Sequence, residues 1–154
     1  MKVSRIIING FIILIGIALF FFLMELLGLG DQVYLRLVNF VFVIYGVNRT
    51  IKQDYKDNIN GYFTNLSSAF LTAFTSLILS IFGFIAYAEY RGGEAYIDSF
   101  VHHYIFSGDP SLYQFCIGLF IEGLAACAVV SFAMMQFWKD KVEKINKVDD
   151  IDHN

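Results

Sequence analysis

One proline, two cysteines and three histidines in 154 residues leave little material for several kinds of chemistry. The histidines are His102, His103 and His153, all outside the long apolar stretches, so intramembrane haem held by paired histidines is excluded. Cys116 and Cys127 lie eleven residues apart in one apolar stretch, about 16 Å along a helix. A disulfide requires Cα atoms within ~7 Å, so the two do not bridge and read as small buried apolar residues. No Walker motif, GxSxG, HExxH or GxGxxG occurs, and the enzyme classes built on them drop out. No catalytic residue, metal site or cofactor is expected. The few basic residues sit at the ends of apolar runs, which is no nucleic-acid surface.

Charge is scarce as well. Only 16% of residues are charged and 57% are hydrophobic, against about 25% and roughly 45–50% in an ordinary soluble domain. No charge occurs in residues 6–24 or 58–87. Runs of ~18 or more apolar residues can cross a bilayer core of about 30 Å. The chain is expected to be an integral membrane protein.

Four spans are read, at about 6–29, 33–51, 63–88 and 111–138, forming an all-α four-helix membrane bundle over residues 1–139. Lys2 and Arg5 ahead of the first run resemble a signal peptide. The run exceeds an h-region of ~7–15 residues and no A-x-A site follows, so it reads as a retained first helix. Gly28, Leu29, Gly30, Asp31 and Gln32 make a tight connection, with Asp31 as the cap of the next helix. In the second outer loop Ile97, Phe100, Val101, Tyr104 and Ile105 follow helical spacing, predicting a short amphipathic helix over 94–106 that ends at Ser107, Gly108, Asp109 and Pro110. It would lie on the membrane surface or over the bundle mouth. Residues 140–154 form a charged tail, disordered toward its end.

Lys2, Arg5, Arg49, Lys52, Lys56, Lys139, Lys141, Lys144 and Lys147 flank one side; only Arg91, and Arg36 just inside span two, belong to the other. Lysine and arginine accumulate on the cytoplasmic side. Both termini are therefore expected in the cytoplasm of a bacterial cell, in its cytoplasmic (inner) membrane. Trp138 and Tyr62 suit the inner interface, and Tyr34, Tyr87, Tyr90 and Tyr113 the outer one.

Ionisable groups within spans are costly, and each is a candidate for function. Glu25 and Arg36 sit about 5–7 Å below the outer boundary on helices joined by a tight turn, placed to pair. The pair is either a structural lock or part of a substrate or proton site. Glu122 lies some 16 Å deep in span four. It is either a proton- or cation-binding carboxylate or a buried acid that fixes packing, with Asn39 and Arg36 as candidate donors. Glu25, Arg36, Asn39 and Glu122 thus form one candidate polar cluster, rimmed by Glu89, in the outer half. The inner half reads as nearly featureless. Ser68, Thr72, Ser76 and Ser80 recur every four residues in span three, and Gly118 and Gly123 lie in span four; small residues at such spacing let helices approach. Glu94, Asp98 and His102 share one helical face, a spacing that can hold a metal, but a solvated face of a surface helix produces the same pattern.

Two segments carry a resemblance. FVIYGVNRTIKQDYKDN (residues 42–58) is an aromatic-glycine helix end running into a basic segment, and INGYFTNLSSAFLTAF (residues 59–74) leads into a small-residue span. With the outer-loop helix and the lysine-rich end, the chain resembles, over residues 6–141, a family of small bacterial four-helix membrane proteins of unknown function. The resemblance implies the fold and no activity.

The default functional reading is a non-enzymatic accessory or scaffolding subunit that packs in the lipid bilayer against other membrane subunits or a second copy of itself. The alternative is a small oligomeric transporter or channel component using Glu122. Third stands an enzyme acting on lipid or quinone through Glu25, Arg36 and Glu122.

Overall fold

Long apolar runs without internal proline satisfy their backbone groups within one segment, which is what a helix does best where water is absent. The structure, a computed structural model, describes residues 2–29, 33–101 and 111–142. Among these the chain is all-helical, with no strand. Helix α1 covers Val3–Leu26, a 3-10 helix covers Val33–Val38, α2 covers Asn39–Lys56, α3 covers Tyr62–Arg91, α4 covers Glu94–Val101 and α5 covers Leu112–Val142. The turn at residues 30–32, the loop-helix positions 102–106 with His102 and His103, the stop at 107–110 and the tail beyond 142 lie outside the described residues.

Three helices are long and apolar enough to cross a membrane: α1 with 24 residues, α3 with 30 and α5 with 31. At 1.5 Å per residue they measure about 36, 45 and 46 Å. Their outward faces carry exposed Ile8, Ile15, Leu19, Phe82, Ile117 and Ile121, the surface a protein shows to lipid rather than to water. The second long element differs from the single helix expected there. Its first six residues wind as a 3-10 helix, an unusually long run for that geometry, before α-helix sets in at Asn39.

Helix α2 packs on α1, α3 and α5, α1 also packs on α3, and α3 packs on α5. Two glycines permit the closest approaches. A Cβ at Gly46 would collide with Ile13 of α1, and one at Gly123 with Leu77 of α3. The expected small-residue stripe faces inward over most of its length: Ser68, Thr72 and Ser76 are buried, while Ser80 is only partly so. Gly118 differs from Gly123 in facing open space on the surface of α5.

The core falls into two clusters. One, at the base, where Lys2, Asp57, Tyr62 and Val142 lie, joins Val47, Ile51, Ala69, Met135 and Trp138. The other, at the top, joins Ala88, Ile97, Leu112, Phe115 and Cys116. Helix α4 reaches the top cluster through Ile97, with Glu94 and Asp98 exposed opposite. It can turn back there because Gly92 and Gly93 both adopt positive φ, 121° and 62°. That conformation costs glycine little and lets the Gly93 N–H donate to the Ala88 carbonyl at 2.8 Å, closing α3.

Candidate functional site

Between the top and the middle of the molecule, α1, the 3-10 helix, α2, α3 and α5 diverge around a cavity of about 480 Å³. Most of its wall is apolar, including Leu14, Phe21, Phe40, Leu77, Phe84 and Leu119. Six polar residues line it: Arg36, Asn39, Ser76, Ser80, Tyr87 and Glu122. Three of the four residues expected to cluster therefore meet here. Arg36 comes from the 3-10 helix, Asn39 from the first turn of α2 and Glu122 from α5. The Arg36 guanidinium lies 3.9 Å from Glu122 Oε2 and 5.9 Å from the centre of the Phe115 ring. At 3.9 Å the charges attract without a close hydrogen bond. Asn39 Oδ1 and Ser80 Oγ are buried with no hydrogen-bond partner among the described residues.

Glu25 takes a different place. Its carboxylate accepts from the Tyr87 hydroxyl and, at 3.3 Å, from the Tyr96 hydroxyl, and Arg91 Nη2 lies 3.1 Å away. The Glu25–Arg36 pairing expected from the hairpin is thus corrected: Glu25 is held with Arg91, and Arg36 with Glu122. Helix α1 turns this carboxylate toward α3, where Phe21 and Phe22 pack edge-on against the Tyr87 ring at 5.7 and 5.2 Å. Burial first, and the Glu25 charge second, push the Tyr96 hydroxyl above its usual range, which keeps it a donor. The cluster ties α4 across the ends of α1 and α3. Glu89 is exposed beside Gly93 at the end of α3 and is not among the residues lining the cavity.

The base is polar where a featureless half was expected, and this is the larger correction. Arg5 of α1 pairs with the buried Asp54 of α2 and with Asp57, and Lys2 Nζ donates to Asp57 Oδ2 at 2.6 Å. These contacts pull the Asp57 carboxyl down to about 2, Lys2 contributing most and Arg5 next. One turn inward, Asn9 Nδ2 donates to Thr50 Oγ1 at 2.8 Å and to Gln53 Oε1 at 2.9 Å. Thr50 and Thr72 hydroxyls meet at 3.0 Å, joining α3 to the same layer. Trp138 Nε1 donates to Asn48 Oδ1 at 2.8 Å, and Asn65 Nδ2 bonds the carbonyls of Ile59 and Gly61. A signal existed: Arg5 and Asn9 on α1, and Thr50 and Asp54 on α2, are spaced i, i+4 and so share a face.

No protein-family model, curated protein or solved structure matches the chain.

The two polar centres differ in what they can do. At the base the charged and amide groups bind one another across helix interfaces, which locks geometry. At the top, Glu122 is 63% exposed while its helix neighbours are apolar, so an ionisable group there faces outward from the chain. Cys116 and Cys127 are buried free thiols.

Proposed function

We propose that the chain is a four-span protein of the bacterial cytoplasmic membrane, with both termini in the cytoplasm, that serves as a non-enzymatic accessory or scaffolding subunit of a membrane complex. The 3-10 helix and α2 together measure about 39 Å at 2.0 and 1.5 Å per residue, long enough for a fourth crossing. The excess of lysine and arginine at the base supports the orientation.

The observation that carries the subunit reading is the position of Glu122. It lies on the outward face of α5 in line with Gly118, Ala125, Val129 and Phe132, all exposed. Among the described residues its ion-pair partner is Arg36, at 3.9 Å and so without a close hydrogen bond, and a carboxylate this exposed near the middle of a span costs up to about 2.5–3.5 kcal/mol. A neighbouring helix that brings a donor to Glu122 removes that cost, and the open space at Gly118 gives its backbone room to approach. The partner is another membrane subunit or a second copy of this chain.

Purification from membranes in a mild detergent tests this. The reading expects a stoichiometric protein partner, or a homo-oligomer, that is lost in Gly118→Phe. A Cβ at Gly118 meets nothing within 4 Å, and circular dichroism checks that the variant folds. A monomer without partner, or a partner retained by Gly118→Phe, contradicts it.

A second reading, a small transporter or channel component, is favoured by the cavity on which Arg36, Asn39 and Glu122 converge. Under it Glu122→Gln abolishes ion or solute flux in reconstituted vesicles. Under the subunit reading the same substitution keeps a hydrogen-bonding group and is tolerated.

A further inference from the structure

The sole tryptophan of the chain stands at the base between α2 and α5, and both helices hold it. Trp138 Nε1 donates to Asn48 Oδ1 at 2.8 Å, and its ring lies 5.8 Å from that of Tyr55. One turn further along α5, Lys141 brings Nζ to 4.8 Å from the centre of the Trp138 ring and 5.5 Å from that of Phe137. Ring faces attract a cation, so this ammonium is positioned and not merely tethered. On α2, Asn48, Lys52 and Tyr55 follow one another at i, i+4 and i+7. Lys52 therefore shares a face with the two residues that touch Trp138. Arg49 and Lys56 flank it, and all four cations are exposed.

None of Arg49, Lys52, Lys56 and Lys141 has an ion-pair partner among the described residues. The acids of α2, Asp54 and Asp57, are already engaged by Arg5 and Lys2. Asp140 is outnumbered by Lys139 and Lys141 on either side of it. Above the cations the flank turns apolar. Tyr45 and Val41, one and two turns up α2 from Arg49, are exposed, as is Phe137, one turn up α5 from Lys141. An acidic soluble protein would meet the cations but not this flank, which the bilayer covers. A zwitterionic lipid meets the flank but brings a cation of its own to the lysines. An anionic phospholipid satisfies both, and cations at a membrane surface attract such lipids.

We propose that Lys52 and Lys141, beside Trp138, hold the headgroup phosphate of an anionic phospholipid of the phosphatidylglycerol type, whose acyl chains lie along Phe137 and Tyr45. Arg49 and Lys56 add attraction at the rim. The proposal rests on the base lying at a bilayer surface and not on the partner placed against Glu122. A bundle without that partner would keep the site.

Trp138 reports on the site directly, because no other tryptophan contributes to the fluorescence. The full chain is reconstituted in phosphatidylcholine vesicles containing about a quarter phosphatidylglycerol. In one set the phosphatidylglycerol carries dibrominated chains, which quench indole at short range; in the other an equal amount of the phosphatidylcholine does. Surface charge is the same in both, and each signal is referenced to the same protein in unbrominated vesicles. Wild type is expected to be quenched roughly twofold more by the brominated phosphatidylglycerol. Lys52→Gln and Lys141→Gln, on different helices, are each expected to remove that preference. Lys139→Gln, which takes the same charge from the same helix end but none of the contacts at Trp138, is expected to keep it. Circular dichroism checks each fold. Equal quenching of wild type by the two brominated lipids overturns the proposal. So does a loss of preference in Lys139→Gln as large as in Lys141→Gln, which marks diffuse attraction to a basic helix end and not a site.

Discussion

Arg5 and Asp54 join the N-terminal turn of α1 to α2 across the base, with the Asp54 carboxylate 1% exposed and the guanidinium 14% exposed. Two charges removed from water stabilise a fold only while both are present; removing one strands the other. Arg5→Leu, which leaves the buried Asp54 without its counter-charge, is therefore expected to destabilise the protein by about 3 kcal/mol. The double variant Arg5→Leu with Asp54→Leu is expected to recover much of that loss. Chemical unfolding in detergent, compared across the three proteins, measures both.

Asp57 gives the base a pH dependence. Its carboxyl is held down to about 2, against 3.8 for an ordinary aspartate, by Lys2 and then Arg5. A group lowered by folding contributes stability above its unfolded value, and that contribution disappears as pH falls through the folded value. The unfolding midpoint is expected to drop between roughly pH 4 and pH 2, and Asp57→Asn to flatten that part of the profile. Lys2→Gln moves it in the same direction by removing the contact that lowers the carboxyl most.

Much of the helical layout could be read from hydropathy, and the reasons for success and failure are physical. The third run, read as 63–88, is helix over Tyr62–Arg91, because residues 62–88, without proline or charge, leave the backbone no alternative. The loop helix begins at Glu94 as its spacing predicts. What escaped is partner choice. Depth along a helix can be counted from sequence, and both Glu25 and Arg36 were placed near the top. The rotation that turns Glu25 toward Tyr87 depends on how α1 packs on α3, which no one-dimensional pattern carries. The base network escaped for another reason. Arg5 reads from sequence as a flank residue that orients the chain, a reading that makes no use of the i, i+4 alignment of Arg5 with Asn9 and of Thr50 with Asp54.

The hydroxyl layer above the ion pair is expected to be sensitive to loss of a single oxygen. Thr50→Val keeps the shape and removes an acceptor for Asn9 and the partner of Thr72, in a site with no access to water. A cost of about 1–3 kcal/mol is expected, measured by the same unfolding assay. Thr75→Val, whose hydroxyl is exposed and bonds only its own helix, serves as the control and is expected to cost little.

The Glu25 cluster is expected to control how firmly α4 is held. Tyr87→Phe removes one donor to the carboxylate and Glu25→Gln removes the charge that attracts Arg91. Both are expected to raise amide hydrogen exchange in residues 94–101 several-fold, while exchange around Thr50 and Thr72 stays unchanged. Equal acceleration at both ends would show that the cluster supports the whole fold and not α4 alone.

The subunit reading places a protein, not lipid alone, against the outward face of α5 at Glu122. Photocrosslinking in native membranes measures this directly, with a benzophenone side chain introduced in turn at Ile121 beside Glu122 and at Phe82 on α3, positions 63% and 67% exposed. The account predicts one discrete protein adduct from position 121 and lipid adducts from position 82. Lipid adducts alone from both positions would contradict it.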